Sequence, residues 1–338
     1  MVRVGINGFG RIGRAFFRAA WGDPEVEIVG VNDLGDIGNL GYLLKYDSVY
    51  RTFAPEVKAE NGQLVVGGKR MNVTSEKDPS KLPWGSLSVD VVVESTGVFD
   101  AYDKSSAHLT AGAKHVVITA PVKEDSPTGA TVLVGVNEEK ISTCQITSNA
   151  SCTTNAGSPL IAILDEKLGI EKALLNTTHA YTATQSIVDG PVKGSDYRRG
   201  RAAAQNMSPS STGAAVAVTK AYEQLKGKFD GISVRVPVVA GSLVDITFLA
   251  KRDTTAEEVN SILEAAAGEP RWQGIFATTR EQIVSSDIIG TPYASIADLP
   301  MTRVVGGNLV KVLSWYDNEM GYVHTLLRHV KAAGNKSA

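Results

Sequence analysis

A glycine-rich turn follows the first apolar run of the chain and constrains the fold more than any other feature. Val2–Asn7 is a short, mainly apolar run of the kind that forms a buried strand. Gly8, Gly10 and Gly13 follow it, and the next residues place apolar side chains at helical spacing. Such a turn lets the backbone approach a pyrophosphate, whose charge meets the start of the helix. The pattern predicts a strand, turn and helix that bind a dinucleotide.

A second predicted strand, Val26–Asn32, ends beside an acidic residue. Asp33 lies twenty residues after Gly13, where a carboxylate can accept the hydroxyls of the adenosine ribose. The same charge would repel a 2′-phosphate, so the sequence favours NAD over NADP. The alternative is a glycine turn that packs a helix on a strand, with an unrelated acid nearby.

Apolar runs alternate with helical patterns through the first 150 residues. The further predicted strands of this half are Val89–Glu94, His115–Ala120 and Thr131–Gly135. This rhythm is typical of an α/β domain with a buried parallel sheet.

The pattern changes after Cys152, where a helix is predicted over Thr153–Leu168. Longer strand-like segments follow at Leu174–His179, Ile232–Pro237, Ser242–Ala250 and Leu309–Tyr316. They alternate less strictly with helices, so we predict an α+β domain with a mixed or antiparallel sheet. A last helical pattern near the end of the chain has one apolar stripe, and we expect it to pack back on the first domain.

The composition excludes several classes of protein. A length of 338 residues is typical of two domains, and 34 Lys and Arg against 36 Asp and Glu leave a net charge of -2. Such a balance gives no overall attraction to nucleic acid or to an anionic membrane. No apolar run approaches the roughly 18 residues of a spanning helix, and the N-terminus lacks the pattern of a secretory signal. We therefore expect a cytoplasmic protein that binds neither nucleic acid nor membrane.

Two cysteines, Cys144 and Cys152, make neither a disulfide framework nor a four-ligand zinc site, and we predict no metal. Cys152 lies where a loop enters a helix, and the positive end of a helix dipole lowers the pKa of a thiol. The predicted helix runs away for roughly 24 Å and the next strand returns for roughly 30 Å. His179 can therefore come back to Cys152 and serve as its general base. The alternatives are a small buried cysteine and a structural histidine.

Candidate anion-binding groups lie further along the chain. A stretch of about thirty residues without periodicity follows His179, and such a loop is uncommon unless it is functional or lies in an interface. It contains Arg198, Arg199 and Arg201, which form a solvated cluster in the alternative interpretation. The run from Ser211 to Gly213 opens the next helix, and Arg235 interrupts an apolar strand, where a charge must find a partner.

Four motifs show a specific resemblance that covers essentially the whole chain. They are N-G-F-G-R-I-G-R at the first turn, S-C-T-T-N at 151–155, H-A-Y-T-A-T-Q at 179–185 and S-W-Y-D-N-E at 314–319. The sequence resembles the phosphorylating glyceraldehyde-3-phosphate dehydrogenases, which are NAD-dependent oxidoreductases of glycolysis and gluconeogenesis. The resemblance implies a Rossmann-type, doubly wound parallel sheet over 1–151, a catalytic domain over 152–318, a helix at 319–333 that packs on the first domain, and a homotetramer.

The resemblance also implies roles for single residues. Cys152 would be the nucleophile and His179 its base. The 3-phosphate of the substrate, glyceraldehyde 3-phosphate, and the attacking inorganic phosphate would bind to two sets of residues: Thr182, Arg198 and Arg235 for the first, and Ser151, Thr153, Thr212 and Gly213 for the second. The NAD positions would be Gly8, Gly10, Arg11, Ile12, Gly13, Asp33, Lys77, Thr119 and Asn318. Lys77 replaces the arginine that is common at the adenine end, and it keeps the charge without the planar fork.

Three other functions remain open at this point. The related erythrose-4-phosphate dehydrogenases resolve the thioester with water, although the motifs at 179–185 and at the phosphate site argue against that activity. A thiol hydrolase or acyltransferase would turn over acyl esters without NAD. A non-enzymatic RNA-binding role has little support, since the net charge is -2.

Overall fold

The structure is a computed structural model that describes residues 1–124, 126–192 and 194–335. The chain divides into two units. The first comprises Met1–Val134, Glu138–Ala150 and the residues from Val323 onward, and the second comprises Gly135–Asn137 and Ser151–Tyr322. In the described part of the chain, no helix is both long enough and apolar enough to cross a bilayer.

The strands of the first unit form one sheet in the order β3-β4-β5-β2-β1-β6-β7-β9-β8. Their bounds are β1 Val2–Asn7, β2 Val26–Asn32, β3 Val57–Glu60, β4 Gln63–Val66, β5 Lys69–Thr74, β6 Val91–Glu94, β7 His115–Ile118, β8 Gly129–Thr131 and β9 Ile146–Ser148. The segments β5, β2, β1, β6, β7, β9 and β8 pair in parallel, whereas β3, β4 and β5 form antiparallel hairpins. The expected doubly wound parallel sheet is therefore confirmed.

The order of the strands reverses between β1 and β6. Strand β2 lies next to β1 toward one edge of the sheet, and β7 lies next to β6 toward the other edge. In an open parallel sheet, ligands bind outside the carboxyl ends of the strands at such a switch point. The carboxyl ends of β1 and β6 are Asn7 and Glu94, which lie opposite each other in register.

Apart from the last helix of the chain, the helices of the first unit have ten residues or fewer. They are α1 Arg11–Ala20, α2 Ile37–Lys45, α3 Tyr102–Ser105 and α4 Ala107–Thr110. The buried face of α1 includes Phe16 and Phe17, and Phe17 stacks on Trp21 with ring centroids 5.5 Å apart. This apolar contact fixes α1, and with it the glycine turn that precedes it.

The second unit contains a mixed sheet in the order β11-β12-β10-β13-β17-β15-β14, with β16 paired to β17. Its strands are β10 Ile170–Ala180, β11 Ser208–Ser211, β12 Phe229–Val236, β13 Ser242–Ala250, β14 Phe276–Thr279, β15 Ser295–Asp298, β16 Arg303–Val305 and β17 Leu309–Tyr316. Strand β10 pairs in parallel with β12 and antiparallel with β13. The expected mixed sheet is confirmed.

Helix α5, Cys152–Leu168, is the buried helix of the second unit. Nearly all of its residues are buried, because it packs on the sheet and between α6, Ala214–Ala221, and α7, Ala256–Ala267. Ser151 caps its start by accepting a hydrogen bond from the Thr154 amide. The cap and the packing of this helix fix the position of its first residue, Cys152.

The predicted bounds agree with the structure for the long buried segments. The bounds of β1, β2, β13 and β17 are those expected from the sequence. The predicted strand Thr131–Gly135 is wrong, since the strand there is Gly129–Thr131. The long loop after His179 also contains β11 and a short 3-10 helix at Tyr197–Gly200, which its polar sequence does not indicate.

The last helix, α8, spans Met320–Asn335 and contributes a buried histidine to the first unit. The side chain of His329 lies 2.8 Å from the Thr147 hydroxyl through Nε2 and 3.1 Å from Asn149 Oδ1 through Nδ1. Burial, with a smaller effect from the positive charge of His115, lowers the pKa of His329 to about 3. The ring is therefore neutral, with its proton on Nδ1.

The buried His329 predicts that stability depends on pH. An unfolded histidine titrates near pH 6.5, so between about pH 6.5 and about pH 3 only the unfolded state takes up this proton. The free energy of unfolding should fall by about 1.4 kcal/mol per pH unit from this residue as the pH decreases through that range. His329→Gln lacks this term, so its deficit relative to the wild type should shrink from pH 7 to pH 4 in urea denaturation. A deficit that is independent of pH would contradict this.

Candidate active site

The start of α5 places a thiol at the carboxyl end of β10 in the second unit. Cys152 is the first residue of α5, and the Ser151 hydroxyl that caps the helix also contacts the Thr154 hydroxyl at 2.7 Å. Cys152 Sγ lies 3.3 Å from His179 Nε2. The predicted approach of these two residues is confirmed.

The pairing of β10 with β12 adds a positive charge to this pair. His179 and Arg235 lie opposite each other in the parallel register. Arg235 Nη1 lies 2.7 Å from His179 Nδ1 and 3.1 Å from the Ala180 carbonyl oxygen. The charge that interrupts the apolar strand thus faces the histidine and thiol, as the need for a partner predicts.

The position of the proton on His179 depends on the contacts of Nδ1, which lies 2.6 Å from the Ala180 carbonyl oxygen. A carbonyl oxygen can only accept, and two lone pairs at this distance would repel each other. Arg235 Nη1, which can only donate, lies 2.7 Å from the same Nδ1 atom, so the two contacts favour opposite tautomers. The tautomer with the proton on Nδ1 is the one in which Nε2 can accept the thiol proton. The Nε2 lone pair then points to the Cys152 thiol, which is the arrangement that a general base requires. The guanidinium of Arg235 donates to the same carbonyl.

Burial determines the ionisation of the pair. It raises the pKa of Cys152, although the charge of Arg235 and the Thr153 amide act in the opposite direction. Burial and the charge of Arg235 lower the pKa of His179 to about 3. The start of the helix favours the thiolate, as the sequence predicts, but the expected net lowering of the thiol pKa is wrong because desolvation outweighs it. The resting pair is a neutral thiol and a neutral imidazole.

Tyr316 completes the surroundings of the pair and was not identified from the sequence. Its hydroxyl lies 2.9 Å from Thr153 Oγ1 and 2.8 Å from Thr177 Oγ1, and its ring meets the ring of His179 edge to face. Burial and the charge of a Cys152 thiolate raise the pKa of Tyr316. The hydroxyl of Thr153 is thus bonded within the second unit, and its amide acts on Cys152.

One group of predicted anion ligands is arranged around Arg199 rather than Arg198. Arg199 donates to Asp196 Oδ2 at 3.2 Å, to Thr184 Oγ1 at 3.0 Å and to Ser210 Oγ at 3.1 Å. The Thr184 hydroxyl in turn lies 2.9 Å from that of Thr182.

Arg198 has a different environment. Its side chain is 65% exposed and lies 3.9 Å from Asp196. The sequence does not distinguish the two neighbouring arginines, because the difference comes from their partners in three dimensions.

Thr212 and Gly213, from the other group of predicted anion ligands, lie at the start of α6. Thr212 Oγ1 accepts a hydrogen bond from the Ala214 amide, and a side chain at Gly213 would meet open space. A cavity of about 430 Å³ nearby is lined by Ser195, Asp196, Tyr197, Arg198 and Ser211. Among these lining residues, Arg198 is a predicted phosphate ligand, whereas Ser151 and Thr153 lie at the start of α5.

In the first unit, the three glycines of the turn meet two different needs. Gly8 has a φ of 93°, and a Cβ there would lie 2.6 Å from the backbone of Ser95 and Thr96. A Cβ on Gly13 would lie 2.2 Å from the Gly8 carbonyl oxygen, whereas a Cβ on Gly10 would meet nothing. Gly8 and Gly13 therefore serve close packing, and Gly10 leaves the start of α1 open.

The remaining predicted cofactor residues of this unit surround the same turn. Asp33 accepts hydrogen bonds from the amides of Phe9 at 2.6 Å and Gly35 at 2.8 Å. The side chain of Arg11 pairs with Asp47, and Arg11 and Ile12 are the first residues of α1, whose start has no side-chain cap. Thr119 is bonded to the Glu94 carbonyl, and Lys77 is exposed.

Asn318 lies in the second unit and is 5% exposed. Its Oδ1 accepts hydrogen bonds from the Gly241 amide at 3.0 Å and from Ser242 Oγ at 3.1 Å. These two donors fix the orientation of the amide, so its NH₂ group is the donor that faces a ligand.

Family models match both units. One, described as the glyceraldehyde 3-phosphate dehydrogenase NAD binding domain, matches residues 2–102, and another, described as the C-terminal domain of that enzyme, matches residues 151–318. The chain belongs to the glyceraldehyde-3-phosphate dehydrogenase family. The resemblance that the sequence motifs indicate is confirmed.

Relatives of the same name match almost the whole chain. Glyceraldehyde-3-phosphate dehydrogenase 1 of Bacillus subtilis is 49% identical over 323 residues, or 95% of each chain. The enzyme of Geobacillus stearothermophilus is 47% identical over 328 residues, or 96% of each chain. The enzyme of Leishmania mexicana named as cytosolic is 47% identical over 327 residues, or 97% of each chain.

The charge of Arg235 predicts a change in the reactivity of Cys152. Arg235→Gln removes a charge that lowers the pKa of this thiol, so the pH midpoint of its alkylation by iodoacetamide should move upward. Arg235→Lys retains the charge and should shift the midpoint less. Mass spectrometry of the labelled peptide separates Cys152 from Cys144. An unchanged midpoint in Arg235→Gln would show that this charge does not act on the thiol.

Proposed function

We propose that this protein catalyses the phosphorylating oxidation of D-glyceraldehyde 3-phosphate to 1,3-bisphosphoglycerate with NAD. The observation that carries the proposal is the contact of 3.3 Å between Cys152 Sγ and His179 Nε2, with Arg235 beside the same imidazole. A thiol with a base at this distance can form a covalent bond to an aldehyde. The family supports NAD as the oxidant and glyceraldehyde 3-phosphate as the substrate.

The residues of the first unit fit NAD. The open space beside Gly10 and the uncapped start of α1 can accept a pyrophosphate. Asp33 follows β2 at the position of a ribose acceptor. Asn318 in the second unit presents an amide NH₂ that suits the carboxamide of nicotinamide. When bound, NAD supplies the two-electron oxidant of the reaction by taking up a hydride.

The first step is addition of Cys152 to the aldehyde. His179 Nε2 takes the thiol proton while Sγ forms a bond to the carbonyl carbon, and Nε2 then passes this proton to the carbonyl oxygen, which gives a hemithioacetal and a neutral His179. Because both groups are neutral at rest, the transfer of this proton accompanies the attack rather than preceding it. The Nδ1 proton of His179, held by the Ala180 carbonyl, stabilises the imidazolium that forms.

The second step is oxidation. His179 Nε2 takes the hydroxyl proton of the hemithioacetal, the carbon loses a hydride, and a thioester to Cys152 remains. Inorganic phosphate then attacks the carbonyl carbon, the bond to sulfur breaks, and the thiolate recovers a proton from His179. We assign Thr182, Arg198 and Arg235 to the 3-phosphate, and Ser151, Thr153, Thr212 and Gly213 to the attacking phosphate.

Further parts of the proposal concern organisation. We assign NAD binding to residues 1–151 and catalysis to 152–318, and we place Lys77 at the adenine end of the cofactor. We further propose that the protein acts in the cytoplasm as a homotetramer. The cytosolic relative supports the location.

The decisive measurement is NADH formation by the purified protein with glyceraldehyde 3-phosphate and NAD, with and without inorganic phosphate. We expect turnover that requires phosphate and is abolished in Cys152→Ser, while calorimetry shows that the variant still binds NAD. Erythrose 4-phosphate serves as the comparison substrate and should react more slowly. Turnover that is indifferent to phosphate would instead indicate hydrolysis of the thioester, and full activity in Cys152→Ser would exclude the nucleophile.

The ribose assignment predicts a change in cofactor preference. Asp33→Ala should weaken NAD more than NADP, with a change of about tenfold in the ratio of the two dissociation constants. The variant also loses a repulsive charge against a 2′-phosphate. Asp36→Ala is the matched control, because Asp36 is a nearby acid that caps α2 instead. If calorimetry gives the same ratio for Asp33→Ala and the wild type, Asp33 does not contact the ribose.

A further inference from the structure

Polar side chains cross the first sheet in a row at the carboxyl ends of four neighbouring strands, and three of the four are buried. Thr74 of β5 lies opposite Asn32 of β2, Asn32 opposite Asn7 of β1, and Asn7 opposite Glu94 of β6. We name these four residues the polar ladder. Asn7 is 1% exposed and Glu94 is 2% exposed. A carboxyl group this deeply buried is rare unless hydrogen bonds compensate for its lost hydration.

Hydrogen bonds run along the ladder in one direction. Thr74 Oγ1 donates to Asn32 Oδ1 at 2.9 Å, Asn32 Nδ2 donates to Asn7 Oδ1 at 2.7 Å, and Asn7 Nδ2 donates to Glu94 Oε2 at 2.6 Å. The Glu76 amide also donates to Asn32 Oδ1, at 2.9 Å. Because a backbone amide can only donate, it fixes the orientation of Asn32, and Asn32 in turn fixes Asn7.

The carboxylate receives further donors from outside the ladder. Trp84 Nε1 donates to His108 Nδ1 at 3.0 Å, and an indole has no acceptor, so the proton of His108 lies on Nε2. His108 Nε2 then donates to Glu94 Oε2 at 2.9 Å. The amide and hydroxyl of Thr96 donate to Glu94 Oε1 at 2.8 Å and 2.5 Å. Each oxygen of Glu94 therefore accepts two hydrogen bonds.

The same residue connects the loops that follow three strands. The side chain of Glu94 holds Asn7, the residue before the glycine turn, and Thr96, whose backbone packs against Gly8. Its carbonyl oxygen accepts hydrogen bonds from Thr119, from the amide at 2.9 Å and from the hydroxyl at 3.0 Å. These loops begin at the point where the strand order reverses, which is where a dinucleotide binds.

We infer that Glu94 is a positioning residue for NAD, because its carboxylate sets the relative positions of Asn7, which precedes the glycine turn, and Thr96. The inference rests on the proposed function, since it takes NAD as the ligand of this edge of the sheet. Glu94 acts through the residues that it holds. Trp84 acts one step further away, through the tautomer of His108.

The test replaces one acceptor oxygen by a donor of the same shape. In Glu94→Gln the new NH₂ group must face either the donors from Thr96 or those from Asn7 and His108. Calorimetry should show NAD binding about ten- to hundredfold weaker than in the wild type. The KM for NAD should rise with it, while kcat at saturating NAD and the rate of Cys152 alkylation stay within about twofold of the wild type, because the thiol site lies in the other unit.

A second variant keeps the inference testable if Glu94→Gln does not fold. Trp84→Phe removes the indole donor that fixes the tautomer of His108, without adding a polar group. It should weaken NAD binding about threefold to tenfold. His329→Gln is the matched control, since it changes a buried, hydrogen-bonded side chain of the first unit that contacts neither the ladder nor Trp84. Its NAD affinity should stay within about twofold of the wild type.

The outcomes separate the two proposals. Weaker NAD binding in Glu94→Gln or Trp84→Phe, with unchanged binding in His329→Gln at a similar loss of Tm, supports the positioning role. Unchanged NAD affinity in folded Glu94→Gln and Trp84→Phe overturns it. An equal loss of NAD affinity in His329→Gln also overturns it, because such a loss would reflect general destabilisation. A wild-type protein that does not bind NAD would refute the proposed function itself, and this is seen before any variant is measured.

Discussion

The parallel pairing of β10 with β12 is the constraint on which the arrangement of the second unit depends. Its register places His179 opposite Arg235, so a histidine at a strand end acquires a cation beside its Nδ1 atom. The capped start of α5 supplies the thiol at the other nitrogen of the ring. A shift of one residue in β10 would turn His179 to the other face of the sheet and separate all three groups.

Burial explains why this site holds its proton until a substrate arrives. Both members of the thiol–imidazole pair are desolvated, and both therefore favour their neutral forms. The charge of Arg235 favours the Cys152 thiolate, so it partly offsets the effect of burial on this thiol. The same charge disfavours an imidazolium at His179. The geometry of the pair, rather than a resting charge on sulfur, is what prepares it for reaction. Tyr316 supports this geometry by joining Thr153 at the start of α5 to Thr177 in β10.

Features that depend on runs of residues could be predicted from the sequence. The bounds of β1 and β17 follow from buried apolar runs, and the approach of His179 to Cys152 follows from the lengths of a helix and a strand. The hairpins over 57–74 were not predicted, since their short strands expose charged residues. The different environments of Arg198 and Arg199 and the part played by Tyr316 were also missed. They depend on contacts between segments that are far apart in the sequence, which periodicity does not encode.

The polar ladder has a consequence for the folding of the first unit. Neighbouring residues along β1 point to opposite faces of the sheet, so a slip of one position would bring Ile6 to the place of Asn7. The carboxylate of Glu94 would then lose its amide donor within an apolar layer, and a buried charge that loses a partner is strongly destabilising. An apolar row would tolerate that slip. The ladder therefore excludes alternative alignments of β2, β1 and β6. It specifies one alignment of these strands, where Val and Ile side chains alone would allow several.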